Sequence, residues 1–120
     1  DYKTLGFLFE SLCIRDLKAY SSARGGVVSY YHDRFNLEAD AVLHLEDGRY
    51  ALIEIKLGQT EVETGANHLC EIERLIEEHN KDELQCPLRK PDLKIVITGT
   101  QYGYRRDDGV FVIPLGCLKD

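Results

Sequence analysis

The sequence predicts an α/β domain: a mixed central sheet flanked by helices, in the order helix, three strands, helix, strand (αβββαβ), closed by a C-terminal β-hairpin. Three observations predict it. Residues Thr4 to Tyr20 carry apolar side chains at helical spacing; Glu38 to Lys56 alternates around one turn signal, Glu46-Asp47-Gly48; and Val62 to Asn80 returns to spacings of three and four. A chain of 120 residues is long enough for a single domain, residues 1–120, that buries about 65% of its unfolded surface, and it is too short for two.

In the first helix Leu5, Leu8, Phe9, Leu12, Cys13, Leu17 and Tyr20 form one broad apolar side, opposite Ser11, Arg15 and Lys18. At about 100° per residue, Glu10 falls between Ile14 and Leu17, on the apolar side. A carboxylate there needs a partner or a route to solvent. Asp16 interrupts the same arc, so helical phase alone does not single out Glu10. Arg24-Gly25-Gly26 ends the helix, Val27 to Tyr31 is a short β-branched and aromatic strand, and His32-Asp33-Arg34-Phe35-Asn36 is a polar turn.

The stretch from Glu38 to Lys56 is the informative one. Side chains alternate between the faces of a strand, so Ala39, Ala41, Leu43 and Leu45 share one face, as do Ala51, Ile53, Ile55 and Leu57. The opposite faces carry Glu38, Asp40, Val42 and His44, and Tyr50, Leu52, Glu54 and Lys56. A two-residue turn at Asp47-Gly48 would set Asp40 against Ile55 and mix the faces. A three-residue loop with Gly48 in the left-handed position keeps them consistent, pairing Leu45 with Arg49, Asp40 with Glu54 and Glu38 with Lys56. Like charges directly opposed are destabilising. Two readings of Asp40 facing Glu54 are open: Lys56 and solvent neutralise an exposed sheet end, or a divalent cation such as Mg2+ sits between the carboxylates. Glu38 opposite Lys56 is either an ordinary cross-strand pair or a group that holds the lysine in place.

Thr60-Glu61-Val62-Glu63 has the form of a capping box for the second helix, where Val62, Ala66, Leu69, Ile72 and Ile76 make the packing side. Its His68, like His79, has no partner at metal-ligand spacing and reads as a surface or boundary residue. Glu71, Glu73, Glu77 and Glu78 read as a solvated acidic face. Leu93 to Thr98 is a buried strand and Val110 to Pro114 a final one, after the turn Asp107-Asp108-Gly109. Tyr102, Tyr104, Arg105 and Arg106 interleave aromatic and basic groups, a patch suited to stacking on bases or holding phosphates and equally to a hairpin surface.

Composition narrows the classes. No apolar run is long enough to cross a bilayer and no signal peptide opens the chain, so a cytoplasmic protein without membrane contact is expected. Cys13, Cys70, Cys86 and Cys117 lack Cys-x-x-Cys spacing, which indicates neither a zinc site nor a disulfide framework. Cys13 and Cys70 fit apolar helix faces as buried thiols. A net charge of −6 argues against holding nucleic acid by bulk electrostatics, though not against an enzyme that receives its polymer from a partner. The sequence starts at Asp1 and has no methionine, which predicts a piece of a longer chain.

Helix, strand, strand with Asp40, strand with Glu54-x-Lys56, helix and strand together resemble the PD-(D/E)XK nuclease core over nearly the whole chain. The resemblance implies a restriction-endonuclease-like fold in which Asp40 and Glu54 bind Mg2+ or Mn2+, Lys56 orients the attacking water or stabilises developing charge, and Glu10 supplies a further acid from the first helix. There are two departures: Ala39 stands where a proline would precede Asp40, and the helix after Lys56 lacks a Gln-x-x-x-Tyr signature, with Gln59 and Thr60 ahead of it instead. The blocks Gly6-Phe-Leu-Phe-Glu10, Leu37-Glu-Ala-Asp40, Asp47-Gly48-Arg49, Ile53-Glu-Ile-Lys-Leu-Gly58 and Asp108-Gly-Val-Phe-Val-Ile-Pro-Leu115 look like the uncharacterised C-terminal domain that follows an AAA-type ATPase module in many prokaryotic proteins. That resemblance implies an upstream ATPase partner. The expected function is a metal-dependent nuclease acting on DNA, with Tyr104, Arg105 and Arg106 as nucleic-acid contacts. The rival is a catalytically inactive interaction or regulatory domain of the same ATPase; a free-standing structural domain ranks last.

Overall fold

A computed structural model describes residues 1–32, 38–82 and 87–118. It comprises α1 (Tyr2–Ser22), β1 (Val27–His32), β2 (Glu38–His44), β3 (Tyr50–Lys56), a 3-10 turn (Gln59–Glu61), α2 (Val62–Asp82), β4 (Leu93–Thr98), β5 (Tyr104–Arg105), β6 (Phe111–Pro114) and a second 3-10 turn (Leu115–Leu118). His32, expected to open a polar turn, instead ends β1; the rest of that turn, 33–36, and the cysteine at position 86 fall outside the described residues.

The strands form one six-stranded mixed sheet in the order β1-β2-β3-β4-β6-β5. β3 runs parallel to β4, and β4 to β6, while the other neighbours are antiparallel. The C-terminal hairpin is present, closed by the Arg106 N–H donating to the Val110 carbonyl and by Gly109 at φ +88°, but it does not stand apart. Its second strand slots between β4 and the two-residue β5. The sheet separates two apolar layers. On one side Val62, Ala66, Leu69 and Ile72 of α2 pack on Val42, Leu52, Val96 and Val112. On the other, Cys13 and Leu17 of α1 pack on Ala41, Ala51, Ile53, Ile55 and Ile97. With a helix on each face, β3 is buried from Ala51 through Ile55. Burial pushes the Cys13 thiol up to about 12, in keeping with an inert core cysteine, whereas Cys70 is only half-buried.

The hairpin between β2 and β3 has the expected register. Ala41 pairs with Ile53, Leu43 with Ala51 and His44 with Tyr50, and the Leu45 N–H donates to the Arg49 carbonyl at 2.8 Å around a loop with Gly48 at φ +91°.

Three expectations differ. Leu5, Leu8 and Leu12 are exposed, with Leu8 at 59%, and α1 is anchored by Cys13, Leu17 and Ser21. A 21-residue helix is about 31 Å long, whereas strands of six or seven residues span roughly 20–23 Å, so the sheet cannot cover it. Asp1 caps the exposed end, accepting from the Thr4 N–H at 2.8 Å. The Thr60–Glu63 capping box does not form: the chain enters α2 through the 3-10 turn, whose Glu61 N–H donates to the Gly58 carbonyl without a side-chain cap. Finally, Ala39 leaves the face of Ala41, for a reason that shapes the site. Among the described residues no helix is long and apolar enough to cross a membrane.

Replacing Gly48 by alanine is expected to destabilise the domain by about 1–2 kcal/mol, because a side chain at positive φ meets its own backbone while nothing else lies within 4 Å of the new carbon. Urea unfolding of Gly48→Ala beside the parent measures it.

Candidate functional site

The site begins as an irregularity in β2. Ser29 pairs with Val42, and the next pair is Tyr31 with Ala39, so three steps on β2 match two on β1. The extra residue is a bulge, which bends its strand and reverses the facing of the residues beyond it. Ala39 therefore joins Val42 in the α2-side layer, and the ladder pairs Glu38 with His32 of β1. On its other edge, towards β3, the ladder ends before the expected Glu38–Lys56 pair. Glu38 instead presents its carbonyl to α2, where it lies 2.5 Å from Nε2 of His68.

The ladder between β2 and β3 stops at Ala41–Ile53. One step on, where the register brings Asp40 opposite Glu54, side chains replace backbone partners. The Ile55 N–H donates to Asp40 Oδ2 at 2.7 Å, and the Asp40 N–H donates to Glu54 Oε2 at 3.2 Å. Each acid thus holds the other's strand, and the two carboxyl groups are drawn together. Glu54 is 6% exposed. Burial first, and the neighbouring Asp40 second, push its carboxyl up to about 8, so that near neutral pH the pair retains a proton that two isolated carboxylates would have lost.

Other groups close around the pair. Lys56, two residues beyond Glu54 and half-buried, lies with its stem against the backbone of α2: a Cβ built on Gly65 would sit 3.1 Å from Lys56 Cγ and 3.5 Å from Glu54 Cβ. His68, one helical turn along, has Nε2 3.6 Å from Glu54 Oε1. Glu10 comes from α1, half-buried, its carboxyl raised by burial and then by Asp40, with Lys56 opposing. Glu10 and Glu54 are therefore each within electrostatic reach of Asp40 and Lys56, although the four come from three elements. Among the described residues no group of three or more His, Cys, Asp or Glu side chains is arranged to hold a metal ion. Asp40 and Glu54 offer two hard carboxylate ligands to a divalent cation, and the rest of its shell would come from water or phosphate, as suits Mg2+. The donor set fits such an ion in chemistry but makes no closed cage.

The expected nucleic-acid contacts separate. Arg106 pairs with Asp108 at 3.2 Å within the hairpin turn. The Arg105 guanidinium stands 5.6 Å over the Phe111 ring. Tyr104 accepts a 2.7 Å hydrogen bond from Gln59, which lies three residues past Lys56, so this tyrosine alone of the three is tied to the segment leaving the site. Gly65 and His68 are the site residues that sequence reasoning missed. The available signal was the glycine: inside a helix it costs about 1 kcal/mol relative to alanine and marks a close approach.

Comparison with known proteins matches residues 5–118 to a family described as Domain of unknown function (DUF4143). No curated protein and no solved structure matches the chain.

Because the folded pKa of Glu54 lies above the ordinary 4.5, the folded state holds a proton that the unfolded chain loses, and this group's contribution to stability falls as pH rises from about 4.5 to about 8. Glu54→Gln, neutral at every pH, is expected to melt several degrees above the parent at pH 8 and to lose that advantage near pH 5. Thermal unfolding of both proteins across this range checks the sign.

Proposed function

The chain belongs to the DUF4143 family, and from that premise we propose that it is a metal-dependent phosphodiester hydrolase, a nuclease acting on DNA. On this reading the sheet and its two helices are a restriction-endonuclease-like core of the PD-(D/E)XK type, carried behind an AAA-type ATPase module in a cytoplasmic protein. One observation carries the proposal: Asp40 and Glu54 are brought together on adjoining strands, with Lys56 two residues farther along β3. Charged groups with displaced protonation, gathered at one place, mark functional sites more often than scaffolds.

Asp40 and Glu54 would hold Mg2+ or Mn2+, with Glu10 adding negative charge from α1. A divalent cation, when bound, supplies a more acidic water and screens the phosphate. For the protein's part, Glu54 would hold such an ion only once its retained proton has left, so cation binding would be stronger at higher pH. Lys56, its stem fixed against Gly65, presents an ammonium group to the charge that builds on the phosphate oxygens. Tyr104, positioned by Gln59, would meet a base or sugar of the strand passing over Lys56, with Arg105 beside it. The acidic chain, at net −6, is suited to DNA delivered by the attached module rather than captured by bulk attraction.

A second reading, a catalytically inactive interaction or regulatory domain of that ATPase, is favoured by two observations. No third side chain completes a metal group among the described residues. Phe7 and Leu8 of α1 also stand out in solvent, at 71% and 59% exposed, as a docking helix would present them.

Incubation of the protein with plasmid and with single-stranded DNA in Mg2+ or Mn2+ decides between the two. The nuclease reading expects cutting that chelation abolishes and that falls about 100-fold or more in Asp40→Asn and in Lys56→Ala. Absence of metal-dependent cutting, or cutting that survives both substitutions, leaves the interaction domain.

A further inference from the structure

We infer that His68 is a positioning residue of this site, holding the separated end of β2 against α2 so that Asp40 and Glu54 stay matched; the inference rests on the proposed nuclease reading. Beyond Ala41 the backbone ladder to β3 is gone, and the bonds that remain run through the acids themselves. The contact from His68 Nε2 to the Glu38 carbonyl, at 2.5 Å, involves neither acidic side chain. It ties the strand to a helix that is itself anchored by the fully buried Leu69 and Ile72.

Geometry also settles which way the imidazole works. A carbonyl oxygen only accepts, so the Nε2 that faces Glu38 carries a hydrogen. A protonated ring nitrogen cannot ligate a metal, and the same N–H is the group that stands 3.6 Å from Glu54 Oε1. His68 is thus a donor that steadies the strand beside Glu54. Its reach depends on Gly65, whose bare backbone lets α2 approach Glu54 and Lys56 closely. Groups that support metal-binding carboxylates from behind in this way typically change affinity by about 10- to 100-fold when removed.

Two measurements on the parent, His68→Ala and His68→Gln test the inference. Calorimetric titration with Mn2+ is expected to show binding weakened about tenfold or more in His68→Ala and restored to within about threefold in His68→Gln, whose amide keeps an N–H donor. Amide hydrogen exchange without metal is expected to quicken about tenfold or more at Asp40 and Ile55 in His68→Ala, with Leu43 and Ala51 of the intact ladder unchanged, and to return toward the parent in His68→Gln. Equal Mn2+ affinity in His68→Ala and the parent overturns the inference and leaves the nuclease reading standing. Failure of His68→Gln to restore binding also overturns it, since an N–H donor at this position is then not what binding requires. If the parent binds no Mn2+, the nuclease reading falls, and the exchange rates alone then decide whether His68 holds the strand.

Discussion

At the point where β2 and β3 stop pairing, the Asp40 carboxylate accepts the Ile55 amide while the Asp40 amide reaches the Glu54 carboxyl. This reciprocal exchange is the constraint on which the site depends. Hydrogen bonds to ionised acceptors are shorter and roughly twice as strong as neutral ones, in keeping with the 2.7 Å from the Ile55 amide to the Asp40 carboxylate. The two bonds also fix both carboxyl groups relative to main-chain atoms, beside the side-chain hydrogen bond that the two acids share. The repulsion that remains is relieved by the proton Glu54 retains.

The placement of β3 explains why that proton is needed. Helices cover both of its faces, so a residue that would be half-solvated in a two-stranded ribbon is sealed in. A buried carboxylate without compensation is costly, and Glu54 meets the cost by neutralisation and by the Asp40 amide. Lys56, farther along the strand, emerges half-buried at the rim. Gly65 is what brings α2 near enough for the lysine and both acids to share one enclosure; any larger residue there would push against the Lys56 stem.

Much of this was legible in the residues. Alternation on both sides of Gly48 admits one register that keeps the faces whole, and that register alone brings Asp40 to Glu54. The bulge was not legible, because one additional residue in β2 leaves no mark on the local pattern and is defined only against β1. For the same reason alternation alone puts Ala39 on the face of Ala41, whereas the bulge sets it on the other. The apolar side of α1 could be read from periodicity, but periodicity carries no information about the extent of the surface beneath, so Leu5 and Leu8 were assigned to a core that ends before them. His68 offered no spacing to any other ligand-type residue. Its role comes from the crossing of α2 over the end of β2, which is a tertiary fact.

The two margins of the sheet are unequal in kind. On one side the outermost segment is β5, only two residues long, with basic residues at its end in Arg105 and Arg106. So brief a margin offers too few free amides and carbonyls to template an incoming polypeptide, and its charge discourages one. On the other side β1 runs for six residues with Val27 and Tyr30 exposed. Lateral growth of the sheet, whether by an added strand from a binding partner or by self-association under stress, is therefore confined to the β1 margin.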